Sequence, residues 1–205
     1  MSDDGPVHPA RQAAPRFDVV AVGASAGGVE ALHVLTAALP AGLPAAVLVV
    51  QHLDPRHRSV LAHLLGRRSP LPVHQATSGE PVRAGTVVIA PPAMHLVARD
   101  GQLLLTDTAH VHFSRPAIDV LFESVAKAYG PRAIAVILSG TGLDGADGVR
   151  AIKAKGGTTL AQAEASHPGM PQAALATGCI DATLTLDGIG PAIARLVCGE
   201  PEPVR

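Results

Sequence analysis

The sequence predicts an α/β domain: a doubly wound, mostly parallel open sheet with helices on both faces and a small β-hairpin. Short apolar runs alternate with segments of helical spacing along the chain. The runs at residues 45–50 and 133–138 are apolar at every position, as strands covered on both faces are. Chemically useful residues follow directly on such runs, where ligands of open parallel sheets bind.

Taken in order, residues 17–22 read as a strand that ends at a glycine-flanked serine, Ser25. Residues 29–39 have helical spacing, with Leu32, Leu35 and Leu39 on one face. Residues 45–50 form a second buried strand and deliver Gln51-His52 at its carboxyl end. A helix at 59–66 starts from a capping Ser59 or the residue before it. The third strand, 86–90, stops at Pro91-Pro92. Residues 95–98 and 102–106 flank Arg99-Asp100-Gly101, whose Asp-Gly suits the tight primed turn of a hairpin. A helix over 116–129 carries Pro116 in its first turn. The strand at 133–138 leads into Ser139-Gly140-Thr141-Gly142-Leu143-Asp144-Gly145. Segments 146–155, 158–162, 171–177 and 180–185 continue the alternation, and 189–197 closes it. Residues 1–15 and 199–205 are expected to be flexible tails around one domain at 16–198.

Composition narrows the function. A chain of 205 residues, 47% of them hydrophobic, fills one sizeable core and would cramp a second domain. There is no Trp, one Tyr and three Phe, too few for a stacking platform on single-stranded nucleic acid. A formal charge of −1 gives no pull toward nucleic acid or an anionic membrane. Cys179 and Cys198 are isolated thiols, which suit a reducing compartment. The acidic start is unlike a signal peptide, and the longest apolar run is too short to span a bilayer. A cytoplasmic protein is expected.

Gly23-Ala24-Ser25-Ala26-Gly27 satisfies G-x-S-x-G between a strand and a helix, the context of a nucleophile elbow. The pentapeptide by itself fits equally a glycine-rich turn that binds phosphate or merely turns. A dinucleotide site fits less well, since it needs glycine where Ser25 stands and an acid where Gln51-His52 stands. His52 follows a strand and so shares the sheet edge of Ser25, as a general base would; the other histidines read as tail, helix or loop residues. A hydrogen-bonded structural role is the alternative, and His57 is a nearby competitor. Asp144 stands where a carboxylate could orient His52, or where an acid simply favours the start of the next helix, a place Asp147 fits better. The order Ser25, His52, Asp144 differs from the Ser, Asp, His order of α/β-hydrolases. His110-Val111-His112 suggests a metal pair, but no carboxylate or third ligand stands at a readable spacing. No metal or cofactor is expected.

A longer set of motifs resembles one family. Gly23-Ala24-Ser25-Ala26-Gly27-Gly28, Val50-Gln51-His52, Ala90-Pro91-Pro92, the run from Arg115 to Phe122, the run from Ser139 to Gly145, and the run from Ala161 to Ser166 occur in this order. They resemble the catalytic domain of the chemotaxis protein-glutamate methylesterase, CheB, over about residues 16–197. The resemblance implies a doubly wound, mostly parallel sheet and a catalytic Ser25, His52 and Asp144. It implies an oxyanion hole from the backbone N–H groups of Ala26 and Thr141, although family members often carry Thr and Met at those positions. Arg115 and Met170 are expected at the pocket edge as substrate contacts. The implied substrate is the γ-glutamyl methyl ester on cytoplasmic helices of methylated chemoreceptors, with glutamine deamidation by the same route. A full-length member carries an N-terminal receiver domain; only about fifteen residues precede the first strand here, so control by such a domain is not expected. Two other functions remain open: an esterase for a small ester or another methylated protein, and a non-catalytic domain docking on signalling partners. The latter predicts a missing triad member, and none is missing.

Overall fold

The computed structural model describes residues 17–53, 56 and 59–199. The tails expected at 1–15 and 199–205 lie outside these residues, Gly199 excepted, as does His57.

Seven parallel strands form the central sheet: β1 (Val19–Ala24), β2 (Ala46–Gln51), β3 (Val73–Gln75), β4 (Val87–Ile89), β7 (Ala133–Ile137), β8 (Thr158–Gln162) and β9 (Ala182–Leu184). Their spatial order is β3-β4-β2-β1-β7-β8-β9, so β1 is central and the chain winds outward from it twice. The hairpin β5 (His95–Arg99) and β6 (Gln102–Thr106) is a separate antiparallel pair, with Asp100 and Gly101 both at positive φ as a primed turn requires. The strand sequence that was not predicted, β3, is a half-exposed Val-His-Gln of three residues at the sheet edge, too short and too polar to stand out.

Alternate side chains of the strands face two cores. Val20, Val22, Val47, Val49, Ile89, Ile134 and Val136 pack beneath α1 (Gly28–Ala37), α2 (Leu61–Gly66) and α6 (Leu186–Cys198). Leu32, Leu35 and Leu39 are all in that core. Val19, Ala21, Leu48, Val50, Ala135 and Ile137 face the hairpin, α3 (Ile118–Tyr129), α4 (Ala146–Ala154) and α5 (Gly169–Ala176). The register pairs Ala24 of β1 with Gln51 of β2, and Gly23 with Ile137 of β7. The residues that follow these three strands therefore emerge side by side at one edge. Among the described residues no helix is long and apolar enough to cross a membrane.

Candidate active site

Ser25 is the first residue after β1, in a turn that Gly27 closes at φ 72°, a backbone region costly for any residue with a Cβ. Its N–H donates to the Ser139 carbonyl at 2.9 Å, and its carbonyl accepts from the Gly28 N–H at 2.8 Å. Gln51, buried at the end of β2, adds a brace. Its Nε2 donates to the Ser25 carbonyl at 2.8 Å and to the His52 carbonyl at 3.0 Å, tying the two loops together.

His52 lies between the serine and the acid. Its Nδ1 is 3.2 Å from Ser25 Oγ, and its Nε2 is 2.8 Å from Asp144 Oδ2. Asp144 follows β7 and is buried. The same carboxylate accepts the N–H groups of Ile118 at 2.8 Å and Asp119 at 2.9 Å, so it caps the start of α3 rather than the helix that follows it in sequence. Burial pushes its pKa up, but the hydrogen bonds from His52 and from these two N–H groups outweigh burial and hold it below 3.8. An ionised carboxylate only accepts hydrogen bonds, so Nε2 carries the imidazole proton and Nδ1 offers its lone pair to Ser25 Oγ. The ring is thus turned the other way from the serine-protease template, in which Nε2 faces the serine.

The 139–145 loop flanks the serine. Ser139 Oγ donates to the Ala26 carbonyl at 2.8 Å and accepts the His167 N–H at 3.0 Å, while its own N–H donates to Gln162 Oε1 at 2.9 Å. The Gly140 carbonyl accepts the Met170 N–H at 2.9 Å. A side chain at Gly140 would stand 2.9 Å from the Ser25 Cβ, which places this loop directly against the serine. The N–H groups of Ala26 and Thr141 donate no hydrogen bond among the described residues.

Met170 and Arg115 are the two sequence-predicted substrate contacts. Met170 is buried, its sulfur filling the space a Cβ on Gly140 would take, so it floors the 139–145 loop. Arg115 is half-buried and clamps its own loop, with Nη1 donating to the carbonyls of Asp107 at 2.6 Å and Thr108 at 2.9 Å. Two other histidines prove to lie in strands: His74 in β3, and His95 opening β5. Among the described residues His95 is the fully buried histidine, with Nε2 donating to the Ala109 carbonyl at 3.0 Å and Nδ1 accepting the Ala117 N–H at 3.1 Å.

Residues 20–193 match the protein family described as CheB methylesterase. The crystal structure of the Thermotoga maritima CheB methylesterase catalytic domain superposes with a TM-score of 0.85 at 35% identity, covering 88% of this chain and 99% of that one. A "protein-glutamate methylesterase/protein-glutamine glutaminase 2" of Anaeromyxobacter dehalogenans is 44% identical over 190 residues, covering 92% of this chain and 55% of the relative. Its namesake in Moorella thermoacetica is 41% identical over 197 residues, covering 90% of this chain and 45% of the relative. The chain spans about half the length of these curated relatives.

Proposed function

Because the chain belongs to the CheB methylesterase family, we propose that this domain hydrolyses γ-glutamyl methyl esters on the cytoplasmic helices of methylated chemoreceptors, acting in the cytoplasm. The observation that carries the reading is the unbroken contact from Ser25 through His52 to Asp144. Ser25 Oγ attacks the ester carbonyl carbon and its proton passes to His52 Nδ1. The charge that develops on the carbonyl oxygen is met by the N–H groups of Ala26 and Thr141, each such donor being worth about 10²–10³ in rate. As the tetrahedral intermediate collapses, His52 Nδ1 returns the proton to the departing methoxide, which leaves as methanol. A water then gives a proton to His52 and attacks the acyl-enzyme carbonyl, and as this second intermediate collapses His52 returns the proton to Ser25 Oγ, freeing glutamate and Ser25. With glutamine in place of the ester, ammonia leaves by the same steps. Asp144, held ionised by the hydrogen bonds from His52 and from the Ile118 and Asp119 N–H groups, stabilises the imidazolium in each half-reaction.

The test is methanol release from methylated receptor helices. Ser25→Ala is expected to fall to background with its circular dichroism unchanged, and equal release from the variant and the wild type would sink the proposal. Release from simple esters alone would assign the site to a different substrate.

A further inference from the structure

The contacts around Ser25 leave one buried carboxylate unexplained. Asp119, in the first turn of α3, is 2% exposed. Its Oδ1 accepts the Gly148 N–H at 2.6 Å. Its Oδ2 is buried and has no hydrogen-bond partner among the described residues. A buried carboxylate oxygen without a donor is costly and calls for a counter-group.

What Oδ2 faces is a convergent set of ligand atoms. His112 Nε2 lies 3.1 Å from it, close enough for an ion pair yet with the ring not aligned for a hydrogen bond. A carboxylate oxygen of Asp147, in the first turn of α4, completes a group whose three ligand atoms all lie within 4.8 Å of one another. The arrangement is built from distant parts of the chain. Gly148 allows α4 to approach α3, since a side chain there would meet the Phe122 Cβ at 2.5 Å, and this approach brings Asp147 beside Asp119. His112 comes from the loop between β6 and α3, where the Val111 and Ser114 backbones pair. Arg150 is the nearby cation, and it contacts Asp147 Oδ1 from the exposed side of α4.

We propose that His112, Asp119 and Asp147 form a binding site for one borderline divalent transition-metal ion, such as Zn²⁺ or Co²⁺. A short Nε2–Oδ2 separation without hydrogen-bond alignment is what two ligands aimed at a common third point produce. With metal–ligand bonds of about 2.0–2.2 Å, a 3.1 Å edge corresponds to a ligand–metal–ligand angle of roughly 100°, between octahedral and tetrahedral values. One imidazole and two carboxylates favour zinc or cobalt over magnesium and calcium, which take oxygen ligands alone. Three protein ligands leave the remaining coordination positions to water. His110 is exposed and takes no part in the set, so only one half of the His110-Val111-His112 pair is used. The proposal does not depend on the hydrolytic reading of Ser25.

Metal-free protein titrated with Co²⁺ and Zn²⁺, followed by calorimetry and by the visible absorption of bound cobalt, tests it. Wild type is expected to saturate at one equivalent. His112→Ala, whose side chain is exposed and whose fold is checked by circular dichroism, is expected to bind about tenfold or more weakly. Asp147→Asn should weaken binding in the same direction, and His110→Ala should behave as wild type. Absence of saturable binding would overturn the proposal. So would equal affinity in wild type and His112→Ala, which would put the metal on other histidines or on the thiols.

Discussion

The Asp144 carboxylate shows how one side chain sets the chemistry of another. Its position is fixed by the first N–H groups of α3 at Ile118 and Asp119, and its low pKa comes from the His52 hydrogen bond together with these two donors. Asp144→Asn tests the proton placement deduced for the ring. An amide that donates to Nε2 would force the imidazole proton onto Nδ1 and remove the lone pair that faces Ser25. The expected outcome is a fall of about 10⁴ in kcat with little change in KM, read from initial rates of methanol release. A loss of only a few-fold would mean that the ring is free to turn over. At this scale the sequence places Ser25, His52 and Asp144 beyond strand ends, and the fold brings their side chains into contact. The sequence does not yield the direction in which His52 points, the brace from Gln51 to the Ser25 carbonyl, or the burial of Met170 under Gly140. Those depend on partners far away in the chain, and on side-chain torsions that no spacing encodes.

Elements are held in place by a few polar ties as well as by packing. Asp181 stands just before β9, accepts the Thr159 N–H of β8 at 2.9 Å and pairs with Lys153 of α4, so one carboxylate joins two strands and a helix. Burial tends to raise its pKa, but the Lys153 ammonium and the Thr159 donors hold it below 3.8. A carboxyl depressed in the fold adds stability that is complete above its unfolded pKa of about 3.8 and is lost as pH falls through the folded value. Asp181→Asn is therefore expected to lower the unfolding free energy by roughly 1 kcal/mol at neutral pH, solvent screening keeping the pair modest. In urea titrations the gap between the two proteins should narrow as pH falls below 3.8 and the carboxyl becomes protonated. A gap that stayed constant with pH would show that Asp181 acts through its shape alone. Most elements are legible from hydrophobic periodicity, with ends displaced by a residue or two. The β3 edge strand is not, because three residues of mixed polarity carry no period.

The whole molecule has two apolar layers that share a single sheet. Each central strand contributes alternate residues to both, so neither layer can melt and leave the other its floor. Tyr129, the sole tyrosine in a chain without tryptophan, packs against the layer of α3 and reports on it by fluorescence. Its urea transition is expected to coincide with loss of far-ultraviolet circular dichroism, to which the helices of both faces contribute. Separate midpoints would show that the layers unfold independently. The doubly wound plan is legible in the alternation of apolar runs, whereas the strand order is settled only by which neighbours pair. That plan also sorts the molecule into a reactive pole and an inert one. α6 leaves β9 at the edge that carries Ser25, passes the end of α1 where Gly190 meets Ala38, and at about 1.5 Å per residue runs the height of the sheet. The exposed thiol of Cys198, its last residue, thus marks the far pole. A support coupled to that sulfur would hold every molecule with its serine facing the solution.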